Sequence, residues 1–286
     1  MPSVDISEIG SSGLKRYGGI VREEFLTQLS GPRGVKVYRE MGQNDPVIGA
    51  ILFVVDMLIR RVPWRIEKVS QNRPDEEAAD FLGSCLTDMS STWHDFISEV
   101  LSFLTFGWSY HEICYKHRRG ESRDNGQSSR FNDGRTGWRK LPIRAQDTLL
   151  EWKFDEAGGI QAMVQSAPPS YTAVPIPIEK ALLFRTTAQK GNPEGRSALR
   201  NAYRPWFFKK RIEEIEGIGI ERDLAGLPMI KLPEGADTTE STDENTDVGR
   251  ARKIVRNVRN DQQAGLVMPF GWEFSLLNSG GSRQYD

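Results

Sequence analysis

Residues 192–228 read NPEGRSALRNAYRPWFFKKRIEEIEGIGIERDLAGLP, and the rest of the chain is organised around this stretch. Asn192 and Pro193 are typical of a helix start, and Gly226 with Pro228 is typical of a helix end. A helix over most of this stretch is about 40 Å long, because each residue adds about 1.5 Å. Such a helix is longer than an ordinary globular core, so we expect it to pack on a further surface.

The helix is predicted over residues 197–225, with a kink at Pro205 because proline lacks a backbone N–H. Apolar residues recur along it every three or four positions, which indicates one apolar stripe. Basic residues dominate its first half and acidic residues its second half. Two hypotheses fit this pattern: a long surface helix of a two-domain enzyme, and a helix packed against copies of itself in a ring. The ring hypothesis predicts that these residues pack between copies: Leu199, Tyr203, Trp206, Ile212 and Ile215.

The amino-acid composition narrows the classes of protein to which the chain can belong. The chain has 286 residues, of which 38% are hydrophobic and 27% charged, as in a soluble protein with one large or two modest domains. Its net charge of -1 argues against a surface that grips nucleic acid everywhere by the phosphates. Cys85 and Cys114 lie in apolar patterns without metal-ligand spacing, so we interpret them as reduced core residues. The most apolar run, residues 47–59, is too short to cross a bilayer, and no membrane partner is predicted.

Residues 1–35 are interpreted as a loosely attached arm, and residues 36–192 as a mixed domain. Helices are predicted from Pro46 to about Arg61, over 75–86 and over 93–105. The first of these is apolar on nearly every side, so we expect it to be buried on most faces. The remaining elements predicted in this domain are strands at 64–69, 108–116, 138–143, 149–154, 159–164 and 181–185, with a mobile hairpin tip at 118–137.

Helices followed by an antiparallel β-meander indicate an α+β fold. After the long helix, residues 228–278 are interpreted as a small unit with one helix on a few strands, which are predicted at 229–232, 266–268 and 272–277. The helix is predicted over 248–264 and is strongly basic. Three of its cations recur at four- and three-residue spacing and therefore share a face, which makes them candidate partner-binding residues: Arg252, Arg256 and Arg259.

Few residues suggest catalysis. His94-Asp95 resembles half of a metal or phosphohydrolase site, but no third or fourth ligand accompanies it. His111 and His117 would lie about 20 Å apart on one strand, too far to share a metal ion. The sequence lacks the glycine-rich phosphate loops and the G-x-S-x-G motif. No catalytic, cofactor-binding or metal-binding residue is therefore predicted, and we expect a protein that is not an enzyme.

Three segments resemble the portal proteins of tailed bacteriophages. They read NDPVIGAILFVVDMLIRRVPWRIE at 44–67, SCLTDMSSTWHDFISEVLSFLTFGWSYHEICYK at 84–116, and GRSALRNAYRPWFFKKRIEEIEGIGIERDLAGLP at 195–228. The resemblance rests on the order of these segments and covers most of residues 36–278. It implies a virion protein that forms a homo-oligomeric ring, usually of twelve copies, at one vertex of the capsid.

The resemblance also implies a domain plan and a set of partners. The implied partners are the terminase large subunit, head-completion or adaptor proteins, the major capsid protein, and double-stranded DNA that passes through without sequence specificity. The implied location is the virion, with the host cytoplasm during assembly. The implied domains are an arm (1–35), a wing-like α+β domain (36–192), a stem helix (193–227), a clip-like α/β unit (228–278), and the truncated start of a second stem helix (279–286).

Two other functional classes stay open at this point. One is a metal-dependent phosphohydrolase built around His94 and Asp95, which predicts bound metal in the purified protein. The other is a non-catalytic capsid or adaptor interaction protein, and oligomer size from light scattering or electron microscopy would distinguish it from a ring.

Overall fold

The computed structural model contains helices and several small antiparallel sheets, which confirms the predicted α+β class. The chain divides into two compact units, Met1–Tyr203 and Arg204–Asp286. The residues that the structure describes are 10–122, 127–225, 227–237, 246–257 and 267–277.

In the described part of the larger unit, four α-helices follow two short strands near the N-terminus. Proline lies in the first turn of three of these helices. Proline fits a first turn because its missing N–H has no helical partner there. Asp45 caps the second helix by accepting hydrogen bonds from the N–H groups of Val47 and Ile48. The helices are α1 (Gly31–Asn44), α2 (Pro46–Arg60), α3 (Arg73–Thr87) and α4 (Trp93–Phe106).

Helix α1 was not predicted from the sequence. The strand that was predicted at 64–69 is wrong. Residues 61–72 contain no strand, although Trp64, Ile66 and Val69 alternate as they would in one. Val69 is 94% exposed, so no sheet face buries the alternating side chains. Alternation over so few residues is a weak strand signal, because pairing with a partner strand decides the outcome.

Two three-stranded antiparallel sheets follow the helices in the larger unit. One has the order β10-β3-β6 and the other β7-β8-β9, while β4 pairs with β5 and β1 with β2. The strands are β1 (Arg16–Tyr17), β2 (Ile20–Val21), β3 (Trp108–Glu112), β4 (Cys114–His117), β5 (Thr136–Lys140), β6 (Ile143–Arg144), β7 (Leu149–Phe154), β8 (Ile160–Ser166), β9 (Ala173–Pro177) and β10 (Ala181–Arg185).

Each sheet supports a core. Between strands β3, β7 and β8, the indole of Trp152 lies 5.1 Å from that of Trp108 and 5.8 Å from the ring of Tyr110, centroid to centroid. Helix α4 packs Phe96, Ile97 and Val100 toward the other face of the β3 region. All of these side chains are less than 9% exposed, and they hold the helices and strands of the larger unit together.

The loop at 118–137 is fastened to α3 where a free hairpin tip was expected. The Lys116 ammonium lies 3.1 Å from the Asp88 carboxylate, and both side chains are 3% exposed. Ser129 donates to the same carboxylate at 2.7 Å. The Arg118 guanidinium lies over the ring of Phe131, 4.0 Å from its centroid. These contacts tie the described parts of the loop to the end of α3.

In its described residues, the smaller unit contains one long helix, a two-stranded sheet and a short helix. The two strands are antiparallel. The unit's elements are α5 (Tyr203–Ala225), β11 (Leu227–Lys231), α6 (Asp247–Asn257) and β12 (Glu273–Leu277). The first residue of α5 belongs to the larger unit. The predicted strand at 266–268 is wrong for 267–268, which form no strand, and residue 266 lies outside the described part of the chain.

The kink expected at Pro205 is absent because the helix begins later than predicted. Residues Ala198–Ala202 form a 3₁₀ helix, and α5 starts at Tyr203. Pro205 is therefore the third residue of α5. In a first turn proline interrupts no hydrogen bond, so the helix continues past it.

Candidate functional site

Helix α5 exposes apolar side chains on two of its faces. Phe208, Ile212 and Ile215 follow one another at four- and three-residue spacing and are 54%, 55% and 68% exposed. Phe207 and Ile218 lie about a quarter turn away on the helix surface and are 38% and 51% exposed. Apolar side chains on both faces of α5 are therefore partly exposed to solvent.

The five residues proposed to pack between copies fall into two groups. Leu199, Tyr203 and Trp206 are buried, at 8%, 8% and 9% exposure. Ile212 and Ile215 are exposed. The apolar stripe is thus buried near the start of α5 and exposed to solvent farther along the helix.

The segment leading into α5 is held on the end of α4. The Ser197 hydroxyl donates to the Thr105 carbonyl oxygen at 2.5 Å and accepts from the Leu199 N–H at 3.1 Å. Gly107 has a φ of +94°, and a Cβ there would lie 2.5 Å from the Glu194 carbonyl oxygen, so only glycine fits. These contacts hold the segment before Tyr203 on the end of α4.

The N-terminal arm, defined here as residues 10–30, packs beside this segment. The Glu24 carboxylate pairs with the Arg200 guanidinium at 2.5 Å, and the Glu23 carboxylate lies 3.0 Å from the Lys190 ammonium. A cavity of about 450 Å³ lies between the arm and residues 187–200. The described part of the arm is therefore attached by ion pairs, in contrast to the loose attachment expected from its composition.

Glu194 faces this cavity with an unusual carboxyl group. Burial raises the pKa of Glu194 to about 7, although a hydrogen bond from the Trp152 indole N–H at 3.2 Å opposes the shift. Because this pKa lies above the ordinary value of 4.5, the folded protein favours the protonated acid.

Glu194→Gln is expected to remove a pH dependence of stability. A raised pKa means that the stabilisation is complete below the unfolded-state value and is lost as pH rises through the folded-state value. The unchanged protein should therefore lose about 1–3 kcal/mol of unfolding free energy between pH 5 and pH 8 through this group. Urea unfolding at four pH values measures the loss, which the neutral glutamine should not show. Glu156→Gln, on the exposed β7–β8 turn, is the control, and equal slopes for all three proteins would contradict the prediction.

Helix α6 places two of the three candidate partner-binding cations on one exposed face. Arg252 and Arg256 are exposed and one turn apart. Arg259 lies outside the described residues. Arg250 is also exposed but points to the opposite side of the helix, which makes it a useful control.

The three histidines lie in different environments, and His94 is exposed in the first turn of α4. Asp95 and Thr92 form an N-terminal cap of α4: the Thr92 hydroxyl accepts from the Asp95 N–H at 3.1 Å and donates to its carboxylate at 2.6 Å. The hydrogen bond from the Thr92 side chain lowers the pKa of Asp95. His111 is fully buried, and burial lowers its pKa to about 4, while His117 is exposed on β4. Among the described residues, no three His, Cys, Asp or Glu side chains are grouped to hold a metal ion.

An exposed apolar surface on α2 was not predicted from the sequence. Helix α2 was expected to be buried on most faces, but none of its residues is buried. Within the described part of the chain, no single helix is both long and apolar enough to cross a membrane; α1 and α2 reach that length and composition only together, and they are bent by 89° at their junction.

The chain is similar to a known protein family and to solved structures. The family described as the portal protein of Mu bacteriophage matches residues 35–286. Two solved structures are similar at 10% identity over 86% of this chain: "Virion of native gene transfer agent (GTA) particle", with a TM-score of 0.49, and "Neck of empty GTA particle computed with C6 symmetry", with a TM-score of 0.44. The match spans 61% and 62% of those two chains. Because the family match covers nearly the whole sequence, the chain belongs to the portal protein family of Mu bacteriophage.

Proposed function

We propose that copies of this chain form a ring at a capsid vertex and that DNA passes through the ring during packaging and exit. The observation that carries the proposal is the pair of exposed apolar faces on α5. Each subunit of a ring contacts one neighbour on either side, and these head-to-tail contacts use two different surfaces of the chain. The face formed by Phe208, Ile212 and Ile215 would lie toward one neighbour, and the face formed by Phe207 and Ile218 would lie toward the second.

The charge of the chain also suits a conduit. A channel that moves DNA should not hold the phosphates tightly, since each phosphate contact adds to affinity. The net charge of -1 and the mixture of acids and bases along α5 agree with weak, non-specific contact. Twelve copies and a role as a structural rather than catalytic component belong to this proposal. The His94-Asp95 phosphohydrolase hypothesis gains no support, because Asp95 is occupied in capping α4.

Ile212→Asp with Ile215→Asp is expected to abolish ring assembly. The two carboxylates would be desolvated at the contact between copies, which costs far more than burial of isoleucine gains. Electron microscopy and mass photometry of the purified chain measure the particle size. Gly217→Asp is the matched control: it adds the same charged group at an exposed helix position with open space around it, and on another face. Rings from the double variant, or disruption by the control alone, would contradict the proposal.

The partners proposed for the ring are the terminase large subunit during packaging, head-completion or adaptor proteins afterwards, and the major capsid protein around the vertex. We place the terminase contact on α6 of the clip-like unit. Arg252 and Arg256 present exposed guanidinium groups, which pair with carboxylates through two parallel hydrogen bonds. The ring would act in the virion after assembly in the host cytoplasm.

Arg252→Glu with Arg256→Glu is expected to impair docking of the packaging motor while non-specific DNA affinity hardly changes. A pull-down with the motor protein, beside a DNA titration at two salt concentrations, separates the two partners. Phosphate binding weakens by roughly one log unit per contact for each decade of salt. Arg250→Glu introduces the same residue on the opposite side of α6 and is the control. Unchanged motor binding together with a large loss of DNA affinity would assign this face to the DNA channel instead.

A further inference from the structure

Helix α2 presents an apolar face to solvent over about three turns. Val47, Ile51, Val54 and Leu58 recur at four-, three- and four-residue spacing and are 61%, 59%, 52% and 61% exposed. Met57 borders the same face at 41% exposure. No charged side chain lies on this face, and none of the described residues buries it. Monomeric proteins rarely leave such a continuous apolar surface uncovered.

The helix is held in this orientation by its polar residues. The only charged residues of α2 are Asp56 and Arg60, which pair with each other at 3.4 Å and are 22% and 35% exposed. Ser98 of α4 donates to the Asp56 carboxylate at 3.0 Å. The usual arrangement of a surface helix is thus reversed, since the charged side faces the rest of the protein and the apolar side faces out.

This surface is called the α2 face and consists of Val47, Ile51, Val54, Met57 and Leu58. Its chemistry limits which kind of partner can cover it. Nucleic acid is a poor fit because its phosphates need cations, and the face has none. A membrane surface is a poor fit because an interfacial helix keeps a cationic polar side toward the headgroups. Here that side is packed against α4 and carries an acid. Apolar contact surfaces without charge are typical of permanent homo-oligomers.

We infer that the α2 face is covered by a second copy of this chain. The same chain carries an apolar stripe that could meet it, formed by Phe208, Ile212 and Ile215 of α5. Charged side chains flank the α5 stripe on both sides, with Arg211 on one side and Glu216 on the other. Glu216 is therefore available to pair with the exposed Arg61, which follows the α2 face at its C-terminal end. A head-to-tail contact between copies needs two different surfaces on each chain, and both are present.

This inference rests on the self-association proposed above and adds a specific surface to it. The test uses the full chain with Ile51→Cys, labelled by a maleimide at increasing protein concentration. Labelling of Cys at position 51 is expected to slow at least tenfold once the protein assembles. Val69→Cys is the control, because Val69 is 94% exposed and lies off the helix, so its labelling rate should stay constant. The unchanged chain measures the background from Cys85 and Cys114.

A second pair of variants tests the energetic contribution of the α2 face. Val54→Asp is expected to raise the concentration needed for half-assembly at least tenfold, whereas Val69→Asp should leave it unchanged. Circular dichroism checks that both variants fold. Rings that form while position 51 stays fully reactive would overturn the inference and leave the ring intact. A chain that is monomeric at every concentration would overturn both. Protection of position 51 by lipid vesicles at dilute protein would assign the face to a membrane and also overturn the inference.

Discussion

Lys116→Met is expected to lower the free energy of unfolding by about 3–5 kcal/mol, because it leaves a buried carboxylate without its cation. The Lys116 ammonium lies 3.1 Å from the Asp88 carboxylate and also donates to the carbonyl oxygens of Asp88 and Ser128 at 2.5 and 2.7 Å. Burial alone would raise the pKa of Asp88, but hydrogen bonds from the Arg130 N–H, Ser129 and Lys116 outweigh it and lower that pKa. Urea unfolding followed by circular dichroism measures the loss.

Two further variants separate the buried pair from ordinary surface charge. Lys180→Met removes a lysine that is 52% exposed and lies 3.7 Å from the Glu112 carboxylate, and it should cost less than about 1 kcal/mol. Asp88→Asn combined with Lys116→Met should recover part of the loss, since no unpaired buried charge remains. A Lys116→Met protein no less stable than Lys180→Met would show that the pair does not hold the 118–137 loop.

Trp152→Ala is expected to cost about 3–5 kcal/mol of unfolding free energy. The indole is 1% exposed and contacts Trp108 and Tyr110, so alanine leaves a large cavity in the core. The substitution also removes the N–H that donates to the Glu194 carboxylate at 3.2 Å. Thermal and urea unfolding, compared at pH 6 and pH 8, measure both consequences.

A residue two positions before Trp152 on strand β7 supplies the control. Leu150 is 51% exposed and belongs to β7 like Trp152, so Leu150→Ala should cost about 1 kcal/mol or less. Trp152→Phe keeps most of the apolar volume but loses the hydrogen bond and part of the packed ring, and we expect an intermediate cost. Similar costs for Leu150→Ala and Trp152→Ala would mean that the core is not built around this indole.

The sequence predicted the helices whose signals are local. Pro46 and the Asp45 cap mark the start of α2, and Thr92 and Gly107 bracket α4. These signals act between residues at most four positions apart, so they can be read without tertiary structure. The order of the long segments also sufficed for the portal resemblance, which the family match over residues 35–286 confirms.

Boundaries that depend on the surroundings were less predictable. A proline within a helical pattern predicts a kink, but the 3₁₀ helix Ala198–Ala202 delays the start of α5 and places Pro205 in its first turn. The hydroxyl of Ser197, in the segment before it, donates to Thr105, which is 92 residues away in the chain. No local pattern contains that contact.

The sequence by itself determined the α+β class, the long helix and the family, because periodicity and caps act over a few residues. Only the tertiary structure decided which surfaces are left open. An apolar pattern on all sides of α2 does not say which side is covered, and that depended on Ser98 reaching Asp56 from another helix. The buried pair of Lys116 and Asp88, 28 residues apart, likewise depended on the fold. Burial is a property of contacts between distant segments, and these arise only when the chain has folded.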